Sequence, residues 1–131
     1  MIANRSVPSA TVIPVLAYDD VEIASDWICR AFGFAERLRI GDHRAQLVFG
    51  DGAVILTSRG IKGGGTVHVR VGDARRHHEN AKKAGAKILQ PPTDQPYGER
   101  QYSAEDIGGH VWTFSQSIAD VDPASWGGTL R

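Results

Sequence analysis

The chain has 131 residues, with Lys+Arg and Asp+Glu matched at 15 each. That balance leaves no electrostatic case for nucleic acid or an acidic membrane surface, and no apolar run approaches the roughly 20 residues of a membrane span. A single cysteine, Cys29, excludes an internal disulfide, and the length suits one domain able to bury roughly two thirds of its unfolded surface.

The first nine residues hold Asn4, Arg5 and Pro8 but no apolar core, so no secretory signal and a cytoplasmic location are expected. Residues 11–18 form an apolar run of strand length in which Pro14 removes a ladder donor, so an edge or a bulge is expected there. Asp19 or Asp20 can cap the helix that follows. Ala24, Trp27, Ile28, Ala31 and Phe32 fall at i, i+3, i+4, i+7 and i+8 on its apolar face, and Gly33 ends it. Cys29 lies beside that stripe and reads as a small buried filler, because no basic partner is near in sequence to make it a nucleophile.

Three strands are predicted next, at 34–40, 45–49 and 53–57, with Gly41-Asp42 and Gly50-Asp51-Gly52 as turns. Residues 60–65 are glycine-rich and read as a linker; no Lys-Ser/Thr pair follows to make a phosphate loop. The pattern then restarts. A strand at 66–71 leads to an Asp73-capped helix through Ala84, ended by Gly85, and to a strand at 86–89. Residues 90–97 carry Pro91, Pro92 and Pro96 and are expected to be a loop. Alternating runs at 99–104 and 110–116 flank Asp106-Ile107-Gly108-Gly109, a β-hairpin with Trp112 and Phe114 on one face.

Strand–helix–three strands is therefore written twice, with module one at about 10–60 and module two at about 65–117 in a single domain. In the tail, 118–131, Asp122-Pro123 can cap a helical turn. Trp126 is expected to pack on its own domain or on a second subunit, since an exposed Trp is costly in water.

Several phrases carry a family resemblance: Leu16-Ala17-Tyr18-Asp19-Asp20, Ala31-Phe32-Gly33-Phe34, Gln95-Pro96-Tyr97-Gly98-Glu99-Arg100, and Asp106-Ile107-Gly108-Gly109-His110-Val111-Trp112. Over about residues 10–117 the chain resembles the vicinal-oxygen-chelate superfamily, which holds glyoxalases, extradiol dioxygenases and bleomycin-resistance proteins. The resemblance implies an α+β fold of two βαβββ modules. Their curved mixed sheets would form a half-open, barrel-like cavity, with the helices outside. In metal-using relatives four side chains on the concave faces bind a divalent ion. Laid on this chain, those positions are Ile13, Ile55, Thr66 and Thr113. None is His, Asp or Glu, whereas a catalytic site needs about three protein ligands of nitrogen, oxygen or sulfur type. A one-residue shift exchanges the two faces of a strand and does not restore the set. No metal and no cofactor are expected.

If Thr66 faces the cavity, so do His68 and Arg70, while Val67, Val69 and Val71 pack on the helix. The structural alternatives are a solvated polar face and a histidine that only completes hydrogen bonds. Phe49, Arg100 and Tyr102 lie on strands that could line the opening, where aromatic walls with a few polar contacts hold a flat ligand. His43, His68 and His110 have no metal-binding spacing, and the adjacent His77 and His78 point about 100° apart on their helix. Trp27, Trp112 and Phe114 read as core aromatics.

No Ser/His/Asp triad, close acidic pair or nucleotide-binding glycine motif is present. The leading expectation is metal-independent binding of a small hydrophobic or aromatic molecule, as in drug or toxin sequestration, by a homodimer with no nucleic-acid or membrane partner. The alternatives are an enzyme and an inert dimer. The enzyme would be a glyoxalase-like lyase or isomerase, or a dioxygenase relative, with a displaced metal or His68 as catalyst. The dimer would be structural or regulatory, with an empty cavity.

Overall fold

The computed structural model describes residues 2–130. In chain order it contains β1 (Val15–Ala17), α1 (Val21–Phe32), β2 (Ala35–Ile40), β3 (Arg44–Phe49), β4 (Gly52–Thr57) and β5 (Thr66–Arg70). Then come α2 (Ala74–Lys83), β6 (Lys87–Asp94), β7 (Glu99–Glu105), β8 (Val111–Ser117) and a 3-10 turn at Pro123–Trp126. The two four-stranded sheets have matching orders, β1-β4-β3-β2 and β5-β8-β7-β6. In each, the first strand pairs parallel with the last, and the other pairs are antiparallel. The duplicated βαβββ topology read from the sequence is the observed one. No described helix is long and apolar enough to cross a membrane.

Both helices start where an aspartate satisfies a free backbone N–H. Asp20 accepts from Ile23 N and Asp73 from Arg76 N, each at 3.0 Å, and each cap is worth about 1 kcal/mol. α1 buries Ala24, Trp27, Ile28, Ala31 and Phe32, the periodic set. α2 is more polar and buries only Ala74 and Ala81, so tertiary contacts rather than an apolar stripe hold it in place. Its last cap is Ala84, one residue before the predicted Gly85.

Two expectations need correction. β1 is confined to Val15–Ala17, because Pro14 lends only its carbonyl, to Ile55 N at 2.9 Å. β6 runs on through Pro91 and Pro92 to Asp94, where a loop was predicted. It is the outermost strand of its sheet and its register shifts between Ile88 and Gln90 and between Gln90 and Thr93. An edge with irregular pairing is where a strand tolerates prolines.

One core joins the modules. Phe32 of α1 packs on Trp112 and Phe114 of β8, with ring centroids 5.2 and 4.9 Å apart. The Trp27 indole N–H donates to the Ala84 carbonyl at 2.9 Å.

At the other end the turn after β7 clasps module one. The Tyr18 hydroxyl donates to Asp106 Oδ2 at 2.5 Å, and the Trp112 indole donates to the same oxygen at 2.9 Å. Asp106 Oδ1 accepts from the backbone N–H of Gly108 and His110. His110 sets its two ring nitrogens 2.8 Å from the carbonyl oxygens of Gly64 and Ala17. Gly108 is required by space: a Cβ there would lie 2.4 Å from Tyr18 Cδ2.

Candidate ligand-binding groove

The register of β5 on β8 places Val67 beside Trp112 and Val69 beside Phe114, on the helix-covered side of the sheet. Thr66, His68 and Arg70 therefore stand on the open side, paired with Val111, Thr113 and Ser115. β5 is an edge strand, and its free edge forms one wall of a groove of about 330 Å³. The opposite wall comes from Val12, Pro14 and the Asp51–Val54 stretch of module one, with Phe34 and Phe49 between. Those two rings lie with centroids 5.1 Å apart. The groove thus joins an aromatic, aliphatic surface to one guanidinium, one imidazole and one carboxylate.

Of the six residues singled out in the sequence, Phe49, His68 and Arg70 line this groove. Thr66 is exposed on the same face of β5, outside the groove lining. Arg100 and Tyr102 take the other face of β7, because Tyr102 pairs with Phe114. Tyr102 is fully buried and its hydroxyl meets His77 Nδ1; burial pushes its phenol pKa up. Arg100 makes a two-toothed ion pair with Asp94, at 2.7 and 3.2 Å. The hydrogen bonds from that guanidinium hold the Asp94 carboxyl below its usual range.

Sequence reasoning missed Phe34, which long-range packing brings to the groove. It also missed a polar network across the open face of sheet two. Arg70 Nη1 donates to Ser117 Oγ at 2.9 Å, and Ser115 Oγ donates to Glu99 Oε1 at 2.7 Å. Gln101 Nε2 donates to Ser115 Oγ at 3.1 Å, and the Ser103 and Thr113 hydroxyls meet at 2.9 Å. Hydrogen bonds from Ser117 and Ser115 hold the Glu99 carboxyl below its usual range against the effect of burial, with the charges of Arg70 and His68 adding to them. Period-two parity was the available signal: once Tyr102 points inward, Glu99, Gln101 and Ser103 must point outward.

The positions that hold metal in related folds do not fit an ion here. Ile55 offers hydrocarbon, Ile13 precedes β1, and Thr66 and Thr113 offer only neutral hydroxyls. The equivalent face of sheet one is also occupied, since Gln46, which pairs with Ile55, donates to the Ser6 carbonyl at 2.9 Å. Among the described residues no group of three or more His, Cys, Asp or Glu side chains is placed to hold a metal. His43 is exposed beside Asp42, and His110 is committed to the clasp.

The family model of the glyoxalase/bleomycin resistance protein/dioxygenase superfamily matches residues 11–114. The chain belongs to that superfamily. Among solved structures, TioX from Micromonospora sp. ML1 is similar at 36% identity, over 84% of this chain and 100% of that one, with a TM-score of 0.72. A family enzyme from Burkholderia phytofirmans PsJN shares the fold at 16% identity, over 84% of this chain and 100% of its own, with a TM-score of 0.71. A glyoxalase-related enzyme from Fulvimarina pelagi shares it at 16% identity, over 82% and 88%, with a TM-score of 0.67. No curated protein matches the chain.

Proposed function

We propose that this superfamily member binds a small, flat, apolar or aromatic molecule carrying an anionic or carbonyl group, without a metal, and sequesters it. The supporting observation is the groove itself: the largely buried Phe34 and the half-buried Phe49 line it together with Arg70 and His68. Ring contacts contribute roughly 0.5–1.5 kcal/mol each beyond burial, and the guanidinium suits a carboxylate, sulfonate or carbonyl oxygen. Metal independence rests on the donor chemistry at Ile13, Ile55, Thr66 and Thr113.

Two fluorescent probes with one ring skeleton test the reading: 8-anilinonaphthalene-1-sulfonate and its uncharged counterpart N-phenyl-1-naphthylamine. Both should bind, and Phe49→Ala should weaken both. Arg70→Ala should weaken the sulfonate probe about five- to thirty-fold, or about 1–2 kcal/mol, and leave the neutral probe unchanged. Its melting temperature should hold, because Arg70 is exposed and bonds only to Ser117 among the described residues. Chelation with EDTA should change neither affinity. Intact binding with a large loss of stability in Arg70→Ala would make Arg70 a structural residue. Affinity lost on chelation and restored by a divalent metal would move the enzyme reading ahead.

A further inference from the structure

Glu99 contributes nothing to the walls of the groove, yet it lies on the same open sheet face as Arg70 with one hydroxyl between them. Ser117, which pairs with Glu99 across the β7–β8 ladder, receives the Arg70 Nη1 hydrogen bond at 2.9 Å. Ser115, only 1% exposed, donates to Glu99 Oε1 at 2.7 Å and is itself fixed by Gln101 at 3.1 Å. A carboxylate tethered by neutral hydroxyls, rather than paired directly with the arginine, keeps its charge in place without closing off the guanidinium. Arg70 therefore remains free to meet a ligand, but its field is partly cancelled.

The geometry points to Glu99 as a residue that, together with the Asp51 carboxylate of the groove wall, limits the ligand charge the groove accepts. Resting on the binding reading above, this narrows the ligand class to aromatic molecules with a carbonyl or a single anionic group, and disfavours multiply charged anions. The Arg70 guanidinium attracts anions in proportion to their charge, and the Asp51 carboxylate on the opposite wall of the groove opposes them. With Glu99 behind it, each added negative charge on the ligand gains from Arg70 and loses to Glu99.

The test uses Glu99→Gln, which keeps the acceptor for Ser115 and removes the charge. Three naphthalene probes carry zero, one and three negative charges: N-phenyl-1-naphthylamine, 8-anilinonaphthalene-1-sulfonate and naphthalene-1,3,6-trisulfonate, the last read by displacement of the first. In the variant the neutral probe should bind as in the wild type. The monosulfonate should tighten about two- to five-fold, the range for a partly exposed charge pair, and the trisulfonate should tighten more. Both gains should shrink as salt rises from about 0.02 M to about 0.5 M, since added salt screens charges that are open to solvent. Glu99→Ala, which also removes the acceptor, should shift the same ratios in the same direction. Equal shifts for all three probes, or none, would overturn the role of Glu99 while leaving the groove as a binding site. Failure of the wild type to bind any probe would overturn the binding reading and this one with it.

Discussion

His77 is held by two opposite demands. Its Nε2 lies 2.8 Å from the Phe32 carbonyl oxygen and must donate there, which leaves Nδ1 to accept from the Tyr102 hydroxyl. That tautomer is neutral, and burial lowers the pKa from the ordinary 6.5. The folded chain therefore resists a proton that the unfolded chain accepts. The stability owed to neutral His77 is complete above about 6.5 and is lost as pH falls from there toward the lower folded value. Melting curves from about pH 8 to about pH 5 should fall less steeply with acid for His77→Gln than for the wild type. Identical acid slopes would remove His77 from the account. The pair shows how far single residues could be read. The helical angle argues against a shared ligand role for His77 and His78, but nothing local says that His77 finds Phe32, 45 positions away. His68 and Arg70 were legible because alternation alone fixes their face. Arg100 and Tyr102 were not, because the face of β7 depends on its register against β8.

The elements themselves were largely written in the sequence, since caps, turns and periodicity are local. What failed was also local in kind but decided from afar: β6 keeps its prolines because, among the described residues, no strand pairs on its outer side and its register with β7 passes over them. The tail shows the same dependence. It turns back on the loop between β6 and β7, where Ile118 N and Ala119 N donate to the Gly98 carbonyl at 2.8 and 3.3 Å. The Trp126 ring then lies 5.2 Å from that of Tyr97. Gly98 takes a φ of +83°, and a Cβ there would sit 2.3 Å from the Ala119 carbonyl oxygen. Gly98→Ala should therefore cost more than the roughly 1 kcal/mol of a left-handed backbone alone, because the tail must also lift away. Truncation after Ser117 should remove most of the difference between Gly98→Ala and wild type, leaving only the backbone strain. Thermal melts of the four proteins form the cycle; a Gly98→Ala cost that is the same with and without the tail would deny the contact. Trp126 remains 45% exposed even when packed, so its own chain covers only part of it.

Two sheets of identical topology end with different fates on their open faces. Residues near Ser6 lie over sheet one, while in the polar network of sheet two Ser115 is buried, Glu99, Gln101, Ser103 and Thr113 are half-buried and Ser117 is exposed. The segment leading into β1, the first residue of β1 and the linker expose Val12 at 79%, Val15 at 54% and Ile61 at 91%. Single exposed aliphatics are ordinary, but a half-covered site flanked by several invites a second copy of the chain, and a symmetric dimer is the commonest closed assembly. We therefore expect two chains per particle by light scattering after size exclusion. The tail packs on its own module, so truncation after Ser117 should lower the melting temperature without splitting the dimer. Val15→Glu would place a charge at the edge strand of module one and should produce a folded monomer, because Val15 contributes little to the core at that exposure. If the groove is shared between chains, that monomer should also lose affinity for N-phenyl-1-naphthylamine. If each chain holds a complete site, affinity should survive the loss of the partner. A wild type that stays monomeric at concentrations of about 100 μM, well above those at which a stable interface of standard size forms, would remove the second chain from the argument.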